Sequence, residues 1–221
     1  VDARVNLRYR FRGNGPLTHA PDWLLVPDEW TRQAFVGLGY PPDRAVVCGH
    51  PHHDFVLAKS AELAREGRSR VRGRLLPDAS GPQTVIMFAT EGSSELAKRE
   101  RSAQIAAVES PVAAKYTLAG RGNGSGRTET VLEELLDAAE TLSPSPYLVL
   151  AVHPMDRRSD YEEYLGEFDF VSTGGTPLEL VYASDLVVGM TSMLLSEAVL
   201  LGTPALSIVP TPEQMEWVPD L

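Results

Sequence analysis

The chain has 221 residues, a formal net charge of −10 and a hydrophobic fraction of 43%. These are globular proportions with enough apolar material for a core, and the length suits one large domain or one and a half ordinary ones. The acidic balance excludes a general nucleic-acid binder, which needs a basic face to displace counterions. It leaves room for a single nucleotide, whose phosphates can be held by backbone N–H groups and one cation. Cys48 is the only cysteine, so an intrachain disulfide and a zinc cluster of several thiolates are excluded, and a reducing, cytoplasmic setting is expected. No apolar run approaches the ~20 residues of a transmembrane segment, and no signal peptide is legible. The chain opens at Val1 without a methionine and ends soon after a tryptophan-containing loop. A missing piece at one or both ends is expected.

In chain order, Leu24 to Val26 form a short apolar strand closed by Pro27. Asp28 is an N-cap for a helix whose apolar residues Trp30, Ala34, Phe35 and Leu38 stop at Gly39. Ala45 to Cys48 is a second, β-branched strand. Strand, helix and strand make a βαβ unit, whose crossover implies parallel pairing. A polar helical stretch from about Phe55 to Leu76 follows, then a Pro/Gly/Ser loop from Pro77 to Pro82, the clearest composition shift in the chain. Its arginines, Arg65, Arg68, Arg70, Arg72 and Arg74, read as a solvated helix face beside neighbouring glutamates.

Thr84 to Thr90 (TVIMFAT) is apolar nearly throughout, as a strand buried on both faces requires. The stretch GRGNGSG, Gly120 to Gly126, lacks the Gly-Lys-Ser/Thr ending of a P-loop and reads as a flexible loop. Val131, Leu132, Leu135, Leu136, Ala139 and Leu142 then recur at helical spacing, with Thr130 and Glu133 as a capping box near the helix start. Strand Tyr147 to Val152, strand Phe168 to Ser172, helix Pro177 to Ala183, strand Leu186 to Val188, helix Met193 to Leu201 and strand Ala205 to Val209 complete the series. Strands alternating with helices specify an α/β fold with a doubly wound, parallel, Rossmann-type sheet.

Such a sheet binds ligands outside the carboxyl ends of its strands. The polar residues delivered there are Thr90 and Glu91; His153 and Pro154; Thr173, Gly174 and Gly175; and Gly189, Thr191 and Ser192. His153 ends an apolar strand, where an imidazole can donate to a phosphate oxygen or, as a cation, neutralise a leaving group. A histidine capping a nearby carbonyl is the alternative reading. Gly189 allows close backbone approach, and Thr191 or Ser192 is the natural N-cap of the following helix, whose free N–H groups make a ready anion site. That helix is nearly all apolar and is expected to be buried, so Glu197 within it needs a partner or a cleft. It is read as a ligand to ribose hydroxyls, with a structural ion pair as the alternative. Glu213 and Glu216, in the final loop, are read as solvated.

The segment DWLLVPDEWTRQAFVGLGYPPDRAVVCGHPHHD (Asp22 to Asp54) resembles the end of the amino-terminal domain of GT-B glycosyltransferases. Gly49, His50, Pro51 and Asp54 stand where the family has Gly-Asn-Pro and an Asp, so His50 replaces the usual Asn. RSRVRGRLLPD and TVIMFAT are similar to the family's hinge helix and first carboxy-terminal strand. AVHP (Ala151 to Pro154) resembles the His-Pro motif of CMP- and CDP-dependent transferases, such as bacterial sialyl-, Kdo- and glycerophosphotransferases. ASDLVVGMTSMLLSEAVLLGTPALSI (Ala183 to Ile208) resembles the donor-site strand, loop and helix, where Thr/Ser contact phosphate and an acidic residue binds ribose.

The resemblance implies a partial amino-terminal, acceptor-side Rossmann-like domain over residues 1–55. It also implies a hinge helix and linker over 56–82, and a nucleotide-sugar-binding domain over 83–221. Its donor-binding residues would be Thr90, Glu91, His153, Thr173, Gly174, Gly189, Thr191, Ser192 and Glu197. His153 and Glu197 are the catalytic candidates, with His19 as a base or acceptor ligand. The expected activity is transfer of a glycosyl group from a nucleotide-sugar to a carbohydrate or lipid-linked acceptor, in polysaccharide biosynthesis. The nucleotide-sugar is a substrate, so no cofactor is expected. No metal is expected either, because imidazole and helix dipole neutralise the phosphate and no Asp-x-Asp motif is convincing. A nucleotide-sugar 2-epimerase on the same fold is one alternative, separable because it converts its substrate without an acceptor. A non-catalytic nucleotide-sugar-binding protein, which would bind without turnover, is the other.

Overall fold

The computed structural model describes residues 17, 20–79, 81–91, 118–121, 127–175 and 177–210. His19, residues 122–126 of the glycine-rich stretch, Glu213 and Glu216 lie outside them. The chain divides into two compact units, Val1–Phe55 and Val56–Leu221.

In the first unit, strands β1 (Leu24–Val26) and β2 (Ala45–Val47) pair in parallel, with Leu25 opposite Val46. Helix α1 (Glu29–Gly37) connects them. Asp28 caps it as the sequence predicts, accepting the Thr31 N–H at 2.6 Å. The helix ends where Gly39, at φ +97°, turns the chain and its N–H bonds to the Val36 carbonyl. Arg32 ties α1 to the returning strand by donating to the carbonyls of Ala45 and Pro42, each at 3.1 Å.

Helix α2 (Pro51–Glu66) leads to α3 (Arg68–Leu75), where the sequence suggested one continuous helical stretch. The break falls at Gly67, whose φ of +88° lies outside any helix and in a region that glycine enters without a Cβ clash. After a 3₁₀ turn at Pro77–Ala79, the second unit continues with β3 (Val85–Ala89), α4 (Arg127–Glu140) and β4 (Tyr147–Ala151). A 3₁₀ segment (Arg158–Glu167), β5 (Phe170–Ser172), α5 (Pro177–Ala183), β6 (Leu186–Gly189), α6 (Met193–Leu200) and β7 (Ala205–Ser207) complete it. All strand pairs are parallel, in the order β5-β4-β3-β6-β7. The expected doubly wound α/β sheet is therefore what forms.

The pattern of β3 explains its central place. Val85, Met87 and Ala89 enter one apolar layer, with Val56 and Leu63 of α2, Val71 of α3, Val181 of α5 and Ala198 of α6. Ile86 and Phe88 enter the opposite layer, with Val131, Leu132 and Leu136 of α4 and with Tyr161 and Tyr164. Every β3 residue is buried, as a strand covered by helices on both faces must be. The segment 56–82, read from the sequence as hinge and linker, belongs to the second unit through this packing.

Three sequence readings are corrected. The arginine-rich face is not simply solvated: on α3, Arg72 donates to the Ala183 carbonyl at 2.7 Å and Arg68 to those of Ser184 and Gly202 at 3.2 and 3.4 Å. They cap the carboxyl ends of α5 and α6, where a cation meets the negative end of the helix dipole. Thr130 and Glu133 form no capping box, because α4 already starts at Arg127. Glu133 is instead fully buried and accepts from the Tyr164 hydroxyl and the Arg121 N–H, each at 2.6 Å. Helix α6 buries only Leu195 and Ala198, and leaves Met193 and Val199 exposed. Its apolar composition exceeds the face the sheet can cover.

Candidate functional site

The strand order reverses beside β3: the chain runs outward through β4 to β5, then crosses back to place β6 and β7 on the other side. This reversal is where an open parallel sheet leaves a crevice at its carboxyl ends. Thr90 and Glu91 leave β3 on one side of it, and Met190, Thr191 and Ser192 leave β6 on the other. His153 and Pro154 leave the adjacent β4. The two crevice walls come close because residue 189 is glycine. A Cβ there would lie 3.3 Å from the Ala89 carbonyl oxygen and 3.5 Å from Leu195 Cδ2.

Glu91 reaches across the crevice. Its Oε1 accepts the Thr191 main-chain N–H in a short contact, and its Oε2 accepts the Thr191 hydroxyl at 3.0 Å. Arg127, the buried first residue of α4, stands 3.3 Å from the same Oε2 and donates through Nη2 to Thr191 Oγ1 at 3.3 Å. Ser192 is the N-cap of α6 and accepts the Leu194 N–H at 3.3 Å. One arginine and the groups preceding a helix start thus hold two carboxylate oxygens. Chemically this is an anion holder, occupied by a side chain of the protein itself.

On the β4 side, the His153 N–H donates to Thr90 Oγ1 at 2.8 Å, and the Thr90 hydroxyl donates to Asp156 Oδ2 at 3.1 Å. Tyr161 donates to the same oxygen at 2.9 Å. Burial pushes the Tyr161 hydroxyl well above the usual tyrosine range, so it stays a proton donor. Among the described residues the His153 ring caps no carbonyl, and its Nδ1 accepts the Met155 N–H at 3.2 Å.

Hydrogen bonds therefore bring Thr90, Glu91, His153 and Thr191 into two linked clusters on neighbouring strand ends. Thr173, Gly174 and Gly175 are exposed beyond β5, two strands and about 10 Å from β3. Glu197 is half-buried, one helical turn into α6. Sequence reasoning missed Arg127, Asp156 and Tyr161. Arg127 was legible only as a lone arginine closing the glycine-rich stretch. Asp156 and Tyr161 lie outside any periodic element, and no spacing rule couples them to Thr90.

No family model matches the chain, and no curated protein matches it significantly. Solved structures do. The chain is similar to the wall teichoic acid polymerase TagF soaked with CDPG, at TM-score 0.48 and 15% identity, over 90% of this chain and 41% of that one. A TagF variant gives 0.45 and 17%, over 88% and 41%. KpsC of Thermosulfurimonas dismutans, a beta Kdo 2,7 transferase, gives 0.35 and 17%, over 68% and 40%. The chain thus spans about two fifths of the length of the structures it matches. At this level of identity and superposition, no substrate passes from them to this chain. Among the described residues, no helix is long and apolar enough to cross a membrane.

Proposed function

We propose that the second unit binds the phosphates of a nucleotide-activated sugar at the carboxyl edge of its sheet, and that the chain serves a glycosyltransferase. The observation that carries this reading is the Glu91 carboxylate on the Thr191 N–H and hydroxyl beside Arg127. Groups that hold two carboxylate oxygens at the strand reversal suit two phosphate oxygens equally. On donor binding, Glu91 gives up these partners to the phosphate. His153 adds a donor from the next strand, and with Arg127 and the α6 start it neutralises charge on the departing nucleotide without a metal. Gly189 permits the close approach of the two walls. Ser192 keeps the helix start in place, Glu197 binds ribose hydroxyls, and Thr173 and Gly174 border the far side of the site. The acceptor is a carbohydrate or a lipid-linked carbohydrate, taken up in cytoplasmic polysaccharide biosynthesis, with His19 as a base or acceptor ligand.

Calorimetric titration with CMP, CDP, UDP and GDP tests this. Saturable binding of one nucleotide is expected, weakened about tenfold or more by His153→Ala, as loss of a phosphate donor of about 1.4 kcal/mol requires. Glu197→Ala is expected to weaken binding of ribonucleotides alone. A folded chain that binds none of the four ends the proposal.

A further inference from the structure

His153 is useful only if its ring presents the right nitrogen, and neutral imidazole has two tautomers. The heavy-atom geometry chooses between them. Nδ1 lies 3.2 Å from the Met155 nitrogen, which can only donate, so Nδ1 must carry the lone pair and Nε2 the proton. Among the described residues Nε2 has no protein partner, and the ring is half-exposed. What holds the Met155 N–H against Nδ1 is a tight turn of four residues, His153 to Asp156, with its second residue fixed in φ as Pro154. Both ends of the turn are tied to the same aspartate. The Asp156 N–H donates to the His153 carbonyl at 2.9 Å. Its carboxylate accepts the Thr90 hydroxyl at 3.1 Å, while Thr90 Oγ1 accepts the His153 N–H at 2.8 Å. Tyr161, only 2% exposed, steadies that carboxylate from the far side at 2.9 Å, and Thr90 is equally buried.

We infer that Thr90, Asp156 and Tyr161 are positioning residues that lock His153 as the Nε2-protonated tautomer, leaving Nε2–H as the ring's outward donor. The inference gives Thr90 a role other than ligand contact: its one hydroxyl proton goes to Asp156 and one of its acceptor positions to the His153 N–H, inside the protein. It rests on the proposed function only for what the Nε2–H is used for, namely donation to a phosphate oxygen.

The test is a nitrogen spectrum of the histidine side chains in the ¹⁵N-labelled chain at pH 8, with His153 assigned from the signals lost in His153→Gln. In the unaltered chain, Nε2 should show a protonated shift and Nδ1 an unprotonated one. Thr90→Val keeps the shape and removes the hydroxyl, so both signals should move towards the averaged positions of exchanging tautomers, and Thr90→Ser should restore them. Tyr161→Phe should move them in the same direction by less. Averaged signals in the unaltered chain would overturn the inference, as would unmoved signals in a folded Thr90→Val chain. Should Thr90→Val fail to fold, unmoved signals in both Tyr161→Phe and Asp156→Asn would overturn it. A nucleotide arm separates this from the phosphate reading. If the lock behaves as expected but CDP, CMP, UDP and GDP all leave Nε2 unmoved, the network stands and His153 loses its role as phosphate ligand.

Discussion

Two carboxylates sit at opposite ends of the same sheet with nearly the same partners. At the amino end, Asp185 precedes β6 and accepts the Val85 N–H at 2.8 Å and Arg72 at 2.7 Å. At the carboxyl end, Glu91 follows β3 and accepts the Thr191 N–H, with Arg127 at 3.3 Å. Each acid is held by a main-chain donor and an arginine, with Arg68 added at 3.8 Å beside Asp185 and the Thr191 hydroxyl added at Glu91, yet the surroundings differ. Asp185 has a short stem, its own N–H bonds back to the Val85 carbonyl, and its arginine is also engaged by the Ala183 carbonyl. It joins β3, β6 and α3 into one block. Glu91 has a longer stem and lies in the crevice where the strand order reverses, the place a parallel sheet leaves for a ligand. The same chemistry is a staple at one end and, on the proposed function, a placeholder at the other.

Matched amide substitutions are the sharpest way to break that comparison. Asp185→Asn should cost the second unit about 2 kcal/mol, because a main-chain donor and a guanidinium lose their shared anion. Urea unfolding would read this, and nucleotide affinity should not change. Glu91→Gln should cost less than about 1 kcal/mol, and should raise the affinity for inorganic pyrophosphate about tenfold, or about 1.4 kcal/mol, by withdrawing the competing anion. Equal destabilisation by both, with affinity unchanged or reduced, would make Glu91 a staple as well.

How much of this was legible depended on whether the signal was periodic. The run TVIMFAT, the helical spacing from Val131 to Ala139 and the regular alternation of elements led to the sheet as it forms. Polar residues after strands led to His153, Glu91 and Thr191, because position along a strand is enough to place them. Pairing was not legible. Nothing in the chain says that Glu91 meets a threonine one hundred residues on, a separation set by strand order rather than spacing. The Thr90–Asp156–Tyr161 chain was hidden for the same reason, and Tyr161 lies in a 3₁₀ segment with non-helical φ/ψ at its own position. Arginines on α3 read as surface because composition cannot reveal that helix ends lie opposite them. Glu133 resembled a cap because a carboxylate three residues after a threonine satisfies that pattern wherever the helix begins.

A smaller effect extends the contrast to pH. Glu179 on α5 is clasped by Lys59 at 3.0 Å and by Arg74 at 3.0 Å, joining α5 to α2 and α3. The hydrogen bond from Lys59, and then that from Arg74, hold its carboxyl below the usual range despite its burial. A depressed folded pKa means the unfolded chain binds the proton more readily. The stabilisation is therefore complete above the unfolded value of about 4.3, and is lost as pH falls through the folded value. Glu179→Gln should remove about 1 kcal/mol at pH 7, and the two unfolding curves should converge once the pH has fallen below the folded value, where the unaltered carboxyl is protonated too. Since Glu179 lies on the α3 side with Asp185 and touches none of the crevice residues, nucleotide affinity at pH 7 should be the same in both chains. A change in affinity would mean that the helix layer and the crevice are coupled, and that the division between staple and placeholder is not local.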